Sequence, residues 1–373
     1  MTFLLAVFAA VLGAVTGSFL NACIHRMPRG ISLLDPKRSF CPSCEKTIPW
    51  YENIPLASWI VLRGKCSGCG ASIPFRYPLV ELGTAALFLA LWLNFGFPLG
   101  LAYFSFAALL IAATFIDFEH FIIPDEITLG GTLLGIALSA AVPELMSSQS
   151  HLLAPVLSIL GALAGFAIVF LIVELGKLAF GKIRHRFPNP VPFEWVREEE
   201  SVTIGFSGES MDWQEIFSRR RDKLTLVLEG GAMVDGERIQ AGRLEFFHDR
   251  VLLDGAERNL DSLSRIEGMT TSVVIPREAM GFGDVKFMAC IGAFIGWQGA
   301  LFALFAGSFV GSVAGFAGLF LARDRSGVRL PFGPFLAIGA LIWLFGGAAV
   351  FEWYLRILHR SSIRHRNSIR HHR

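Results

Sequence analysis

The sequence predicts an all-α polytopic membrane protein of about eight transmembrane helices, with a cytoplasmic four-cysteine zinc region and a small β-rich cytoplasmic insertion. Three observations lead there. Hydrophobic residues make up 53% of the 373-residue chain and charged residues only 17%, whereas a soluble domain carries about a quarter charged residues. The apolar residues come in blocks, several of them near the roughly 20 residues needed to cross a hydrocarbon layer. Between the blocks lie two long polar stretches, one rich in cysteine and the other with strand-like alternation. The net charge of +2 decides little, because in a membrane protein the placement of charge matters more than its sum.

The first block, residues 2–24, has no Lys or Arg before it, and Arg26 and Arg29 follow it. A secretory signal has the opposite order, so a retained first helix over 1–24 is expected, its N-terminus outside. Leu20-Asn21-Ala22-Cys23 loosely resembles a lipoprotein cleavage box but lacks the basic start. A polar stretch over 25–77 comes next. Apolar runs near 78–95, 99–117, 126–145 and 153–180 make a second membrane block over 78–180. A second polar stretch fills 181–279. Runs near 284–298, 299–322 and 332–355 form a last block over 280–355, the first of them short and Gly-rich, and a basic tail occupies 356–373.

Basic residues set the expected orientation. The 25–77 stretch carries Arg26, Arg29, Lys37, Arg38, Lys46, Arg63, Lys65 and Arg76, and is therefore placed in the cytoplasm. The short loops at 96–98 and 146–152 then face outward, and neither contains Lys or Arg. The 181–279 stretch and the loop with Arg323, Arg325 and Arg329 return to the cytoplasm. An eighth span leaves the basic tail outside, which breaks the rule, so the tail is an exception or the count is off by one. Within it Ser-Ile-Arg-His recurs at 362–365 and 368–371, and a disordered, low-complexity segment is expected.

In the second polar stretch Leu224, Leu226 and Leu228 alternate with Thr225 and Val227, and Gly230-Gly231 and Asp235-Gly236 supply turn chemistry. Leu244–Phe247 and Val251–Leu253 read as further strands, with a short amphipathic helix near 212–221. No catalytic cluster is visible there.

Cys41-x-x-Cys44 and Cys66-x-x-Cys69 are separated by 21 residues. Two such pairs at about this separation are the pattern of a four-thiolate zinc site, each pair forming one tight knuckle. Gly68 and Gly70 suit the turns of the second knuckle. A cytoplasmic setting argues against disulfides. Four protein ligands leave no open position, so the expected zinc is structural rather than catalytic. Cys23 and Cys290 stand alone in apolar runs and read as small packing residues.

Two aspartates stand at the ends of apolar runs. Asp117 closes the third, and Asp284 opens the sixth within Gly281-Phe282-Gly283-Asp284. A carboxylate at a span edge is costly to bury and points to function, although a lone one often only marks a helix end. The expected topology puts both on the cytoplasmic side. Close carboxyls cannot both ionise, so one keeps its proton and the other is an anion. The anion can deprotonate a water while the protonated partner polarises a scissile carbonyl. That is the chemistry of an aspartyl peptidase without a covalent intermediate. The dyad titrates as a unit, so no base is assigned.

These residues carry a resemblance. Gly281-Phe282-Gly283-Asp284 with Val285-Lys286 resembles the GxGD signature of the type IV prepilin peptidases, the prepilin leader peptidases and N-methyltransferases. Gly17-Ser18-Phe19-Leu20-Asn21, followed by Arg26 and Pro28, resembles that family's first span. Cys41 to Cys69, with Ile48 to Pro55 between the knuckles, resembles its zinc region. Arg76 to Glu81 resembles the entry to its second span, and Pro331-Phe332-Gly333-Pro334 that to its last. The resemblance implies catalysis by Asp117 and Asp284, with zinc on Cys41, Cys44, Cys66 and Cys69. It implies substrates that are type IV prepilins or the pseudopilins of type II secretion, cut after a leader Gly on the cytoplasmic face of the bacterial inner membrane. It also implies methylation of the new N-terminus with S-adenosylmethionine, with the 25–77 region as the methyltransferase part. Partners would be these substrates, membrane lipids and pilus or secretion assembly components, with no nucleic acid. No Rossmann-type glycine fingerprint is present, so the methyl-donor residues stay unassigned. The long 181–279 insertion and the basic tail depart from the short family form.

Other residues have plainer readings. Asp125 is a third carboxylate of the site or, more simply, a helix N-cap. His120 is a pH-sensitive neighbour or an interfacial side chain. Glu81, just inside the second span, needs a partner or water and would line a methyltransferase pocket or pair with Lys286. Two other functions fit the carboxylates: a GxGD protease cutting other transmembrane helices, and an ion carrier. The zinc region argues against the first. The lack of visible inverted repeats argues against the second.

Overall fold

Helix α1 (Thr2–Arg26) lies along α3 (Arg76–Phe95), the short α2 (Ala57–Val61) standing between them in sequence. Gly13 and Gly17 let these helices meet: a Cβ on either would come within 2.7 Å of the α3 backbone, at Ala85 and Glu81 respectively. Small residues at such a seam are how apolar helices associate where lipid removes the hydrophobic drive between them. Next come α4 (Leu99–His120), α5 (Asp125–Ala141) and α6 (Leu153–Phe180), then, beyond the sheet, α7 (Phe282–Leu321) and α8 (Gly333–Ile342). The computed structural model describes residues 2–34, 39–180, 182–197, 202–206, 209–213, 223–276, 281–321, 330–351, 353 and 356.

Among the described residues, six helices are long and apolar enough to cross a membrane: Phe3–Arg29, Arg76–Phe95, Leu99–His120, Leu153–Gly176, Phe282–Gly318 and Gly333–Phe351. The chain is a membrane protein. The expectation of about eight spans differs from this count for two physical reasons. The run near 126–145 forms only the 17 residues of α5, which opens on Asp125 and Glu126. At 1.5 Å per residue that is about 25 Å, short of a core about 30 Å thick. The runs near 284–298 and 299–322 join in α7, which changes direction at Gly296, where φ is 70° and ψ 176°. That conformation favours glycine. Its two parts are about 21 and 38 Å long.

The chain divides into two compact units, one of Met1–Phe170 with Gly281–Arg373 and one of Leu171–Met280. In the first, α7 is the central packing element. Its Gly292 faces Gly161 of α6 so closely that a Cβ on Gly161 would sit 2.2 Å from the Gly292 carbonyl oxygen. Ser158 donates to the Ala293 carbonyl at 2.7 Å across the same seam. On another side Gly339 of α8 meets the Ala303 carbonyl. Phe106 of α4 stacks on Phe294 of α7, with ring centroids 4.6 Å apart.

The second unit is a nine-stranded, wholly antiparallel sheet: β1 (Lys182–Arg197), β2 (Val202–Phe206), β3 (Glu209–Asp212), β4 (Leu224–Val234), β5 (Glu237–Ile239), β6 (Arg243–Phe246), β7 (Arg250–Leu253), β8 (Ala256–Asn259) and β9 (Arg265–Pro276). The order is β3-β2-β1-β9-β4-β6-β7-β8, with β5 paired to β4. Leu224, Leu226 and Leu228 alternate inward on β4 as their spacing predicts. They join Phe193, Trp195, Trp213 and Phe246 in one apolar core. Asp235-Gly236, with φ of 47° and 87°, closes the β4–β5 hairpin as a two-residue turn with positive φ at both positions requires. Most of the helix expected near 212–221 lies outside the described residues; Asp212 ends β3. The 323–325 loop and the basic tail beyond Arg356 also lie outside them.

Gly161→Val is expected to cost about 1–3 kcal/mol by overpacking the α6–α7 seam, read as a lower midpoint of thermal unfolding in detergent. Gly130→Val, a site with open space, is the control and should lower it far less.

Candidate active site and four-cysteine cluster

Asp117 lies in the last turn of α4, buried at 6% exposure. Its Oδ2 accepts the backbone N–H of Gly333 at 2.8 Å, a bond from the first residue of α8. Gly333 is required there, because a Cβ would fall 2.7 Å from that same oxygen. Asp284 stands in the first turn of α7, also buried. A helix N-terminus favours an anion. The Asp284 carboxyl lies by Gly281, whose Cβ position is 3.6 Å from its Oδ2. The sequence between the two aspartates contains the whole sheet unit.

The link that holds these helix ends together is short. Phe121, in the left-handed conformation, caps α4 by donating its N–H to the Asp117 carbonyl at 2.9 Å. The chain then runs through Ile122 and Ile123 to Pro124 and α5. Ile123 packs beneath both glycine-rich segments: the Cβ position of Gly283 is 3.5 Å from its Cβ, and that of Gly333 is 3.0 Å from its Cδ1. The GxGD and PFGP segments therefore meet around one side chain beside Asp117. The run-end aspartates and the glycines signalled this convergence in the sequence; the part of Ile123 in it had no signal there.

Asp125 is not an N-cap. Pro124 holds that position without a side-chain bond, and Asp125 instead accepts from Lys286 Nζ at 2.5 Å. The half-exposed Asp125 thus ties the start of α5 to the first turn of α7. Lys286 also sits over the Phe282 ring, 5.3 Å from its centroid. This engagement separates Lys286 from Glu81, removing one of the two readings of that carboxylate. His120 ends α4, its Nε2 buried without a hydrogen-bond partner among the described residues.

The four cysteines come together. Their Sγ atoms all lie within 4.8 Å of one another, with Cys41–Cys69 at 3.9 Å and Cys44–Cys66 at 4.0 Å. Four thiolates around a metal with bonds of about 2.3 Å are spaced by about 3.8 Å, so the donor set fits a tetrahedral zinc. The two knuckles repeat one another. Each is closed by a single β-bridge, Phe40 with Thr47 and Lys65 with Ser72. In each, the first cysteine accepts on its carbonyl from the residue four positions on, Glu45 at 2.8 Å and Gly70 at 2.9 Å. Both of those residues have positive φ, 57° and 73°. The Gly68 backbone N–H donates to the Cys66 Sγ at 3.4 Å, a bond that favours the thiolate that binds metal.

Above the knuckles and the ends of α1, α3 and α4 lies a cavity of about 490 Å³. Glu81 lines it, accepting from the Leu56 N–H at 2.7 Å and bonding the Ser18 side chain. Ser67, inside the second knuckle, donates to Glu52 at 2.6 Å and accepts from Lys46 of the first at 2.9 Å. The cluster thereby holds a cavity carboxylate in place. Arg76 pairs with Glu119, two residues beyond Asp117, through both carboxylate oxygens.

Two family profiles match the chain. The bacterial peptidase A24 N-terminal domain covers residues 11–95, and the type IV leader peptidase family covers 104–183 and 264–316. The interval left between them is most of the sheet unit. A prepilin leader peptidase/N-methyltransferase of Dichelobacter nodosus is 36% identical over 47% of this chain and 68% of its own length. One of Myxococcus xanthus (strain DK1622) is 49% identical over 36% of this chain, a match spanning 41% of that protein. One of Aeromonas hydrophila is 27% identical over 91% of this chain and 90% of its own. No solved structure matches the chain. With the GxGD and PFGP glycines gathered at Asp117 and the four thiols gathered at the knuckles, the chain belongs to the type IV leader peptidase family.

Proposed function

We infer that this protein is a membrane aspartyl endopeptidase that removes the basic leader from type IV prepilins or pseudopilins and then methylates the new N-terminus. The observation that carries the peptidase reading is that the segments holding buried Asp117 and Asp284, at the end of α4 and the start of α7, meet around Ile123 and Gly333. Relatives that carry the name prepilin leader peptidase/N-methyltransferase supply the substrate class and the second activity. The distribution of Lys and Arg favours the cytoplasmic face of the bacterial inner membrane for the site. If α5 and the two parts of α7 each count as a pass, the chain makes eight.

One carboxyl of the pair holds a proton and hydrogen-bonds the scissile carbonyl after the leader Gly. The other, as an anion, takes a proton from the attacking water. Proton return to the leaving nitrogen breaks the peptide bond. Gly333 keeps Asp117 aimed by its N–H, and the apolar helices around it accept the hydrophobic segment that follows the cut. The four thiolates of Cys41, Cys44, Cys66 and Cys69 are proposed to hold a structural zinc. S-adenosylmethionine would supply an electrophilic methyl group, and the cavity beside the knuckles has the size of a small-molecule site.

Purified full-length enzyme incubated with a pilin precursor should release a product lacking the leader, and with S-adenosylmethionine one carrying an added methyl group, both read by mass. Asp117→Asn and Asp284→Asn should each lower cleavage by about 10²–10⁴-fold; undiminished cleavage by either would sink the peptidase assignment. Cleavage confined to unrelated transmembrane helices would sink the substrate assignment. Gly333→Ala pushes on the Asp117 carboxyl and should lower kcat by about 10- to 100-fold, with less effect on KM. Metal analysis should find about one zinc per chain. Cys66→Ser with Cys69→Ser should abolish the metal and methyl transfer, while cleavage stays within about tenfold, the size of effect expected when a catalytic pair is left in place.

A further inference from the structure

The cavity beside the knuckles contains a group that the fold leaves unanswered. Asn21 lies on α1 at 2% exposure and lines the cavity. Its Nδ2 donates to the Tyr77 carbonyl at 3.1 Å. A carbonyl only accepts, so the amide is oriented, and Oδ1 is left buried without a donor among the described residues. A buried acceptor with no partner costs about 1–3 kcal/mol, which a ligand donor or a cationic group would offset. Glu81, also buried, brings a carboxyl group to the same lining.

The rest of the lining narrows the ligand. Of the cavity's cations, Arg26 directs its guanidinium to the Ser32 carbonyl, Arg29 to the His25 carbonyl and Arg76 to Glu119. Where α1 meets α3, the lining offers two acceptors, the oriented Asn21 amide oxygen and the Glu81 carboxyl group. That end suits a cation. Glu119 lines the cavity two residues past Asp117 on α4, about 3 Å along the helix axis.

We propose that this cavity is the methyl-transfer site, and that Glu81 and Asn21 Oδ1 face the positive sulfonium methyl donor and the incoming α-amine. The proposal rests on the reading of the protein as a peptidase and methyltransferase, and assigns the second activity to residues. The amine nitrogen attacks the methyl carbon. As the N–CH₃ bond forms, the S–CH₃ bond breaks with its electron pair left on sulfur, giving a neutral thioether. The proton shed by the amine passes to Glu81. Asn21 accepts a hydrogen bond from the amine and holds it in line.

The test uses full-length enzyme in detergent and two probes, S-adenosylmethionine, which has the sulfonium charge, and S-adenosylhomocysteine, which lacks it. Binding of each is measured by calorimetry for the parent, Glu81→Gln and Asn21→Leu, with leader cleavage followed alongside. Glu81→Gln should weaken S-adenosylmethionine binding by at least tenfold while S-adenosylhomocysteine binding changes by no more than about twofold. Methyl transfer should fall at least a hundredfold and cleavage should stay within threefold. Asn21→Leu should lower methyl transfer at least tenfold with cleavage retained. A merely structural role would weaken both probes together and cleavage with them, and that outcome overturns the proposal. So does parental binding and methylation in both variants. A parent enzyme that neither cleaves nor methylates a pilin precursor would instead overturn the functional reading itself.

Discussion

A single hydrogen bond in an apolar setting, from the Gly333 N–H to Asp117 Oδ2, is the constraint on which the membrane unit depends. A carboxyl group at the end of a span is tolerated only where a donor meets it. Here the donor is backbone, from the opening residue of α8, so α8 must begin against the end of α4. Asp284 adds a second carboxyl from α7, and Ile123 fills the space beneath the two glycine segments. None of these contacts forms unless the helices approach to backbone distance. The glycine seams between α6 and α7 and between α7 and α8 are what permit it.

The cysteine region obeys a different physics. It has little apolar core, and its two knuckles are each closed by one bridge and a left-handed turn. Such a segment gains order from a bound metal rather than from burial. Its reach extends beyond the thiols, because Lys46, Ser67 and Glu52 form a chain from one knuckle through the other to the cavity wall. The four-cysteine cluster thus sets the position of a cavity carboxylate.

The sheet unit relies on neither device. Its strands bury Trp195, Phe193 and Phe246 in a core of its own, which gives it the means to fold as a unit. Its interval in the chain is mostly unmatched by the family profiles. The split of one membrane unit into two sequence segments therefore costs the aspartate pair nothing: α7 packs against α5 and α8, whatever length of chain precedes it.

Much of this was legible in the residues alone. The apolar runs located the long helices, because crossing lipid demands length and composition that no loop supplies. The cysteine spacing located the thiol cluster, because two x-x knuckles can present sulfur in few other ways. The alternation at Leu224, Leu226 and Leu228 located a strand. Asp117 and Asp284 were legible as expensive charges at run ends. The span count differs at α5 and at Gly296, since a hydropathy run records neither a helix that is one turn short nor a bend within a continuous helix. Tertiary structure alone decided that Gly333 donates to Asp117, that Lys286 pairs with Asp125 rather than Glu81, and that Asn21 keeps an unanswered oxygen beside Glu81. These are matters of which distant backbone arrives where, and helix packing, not local sequence, determines that.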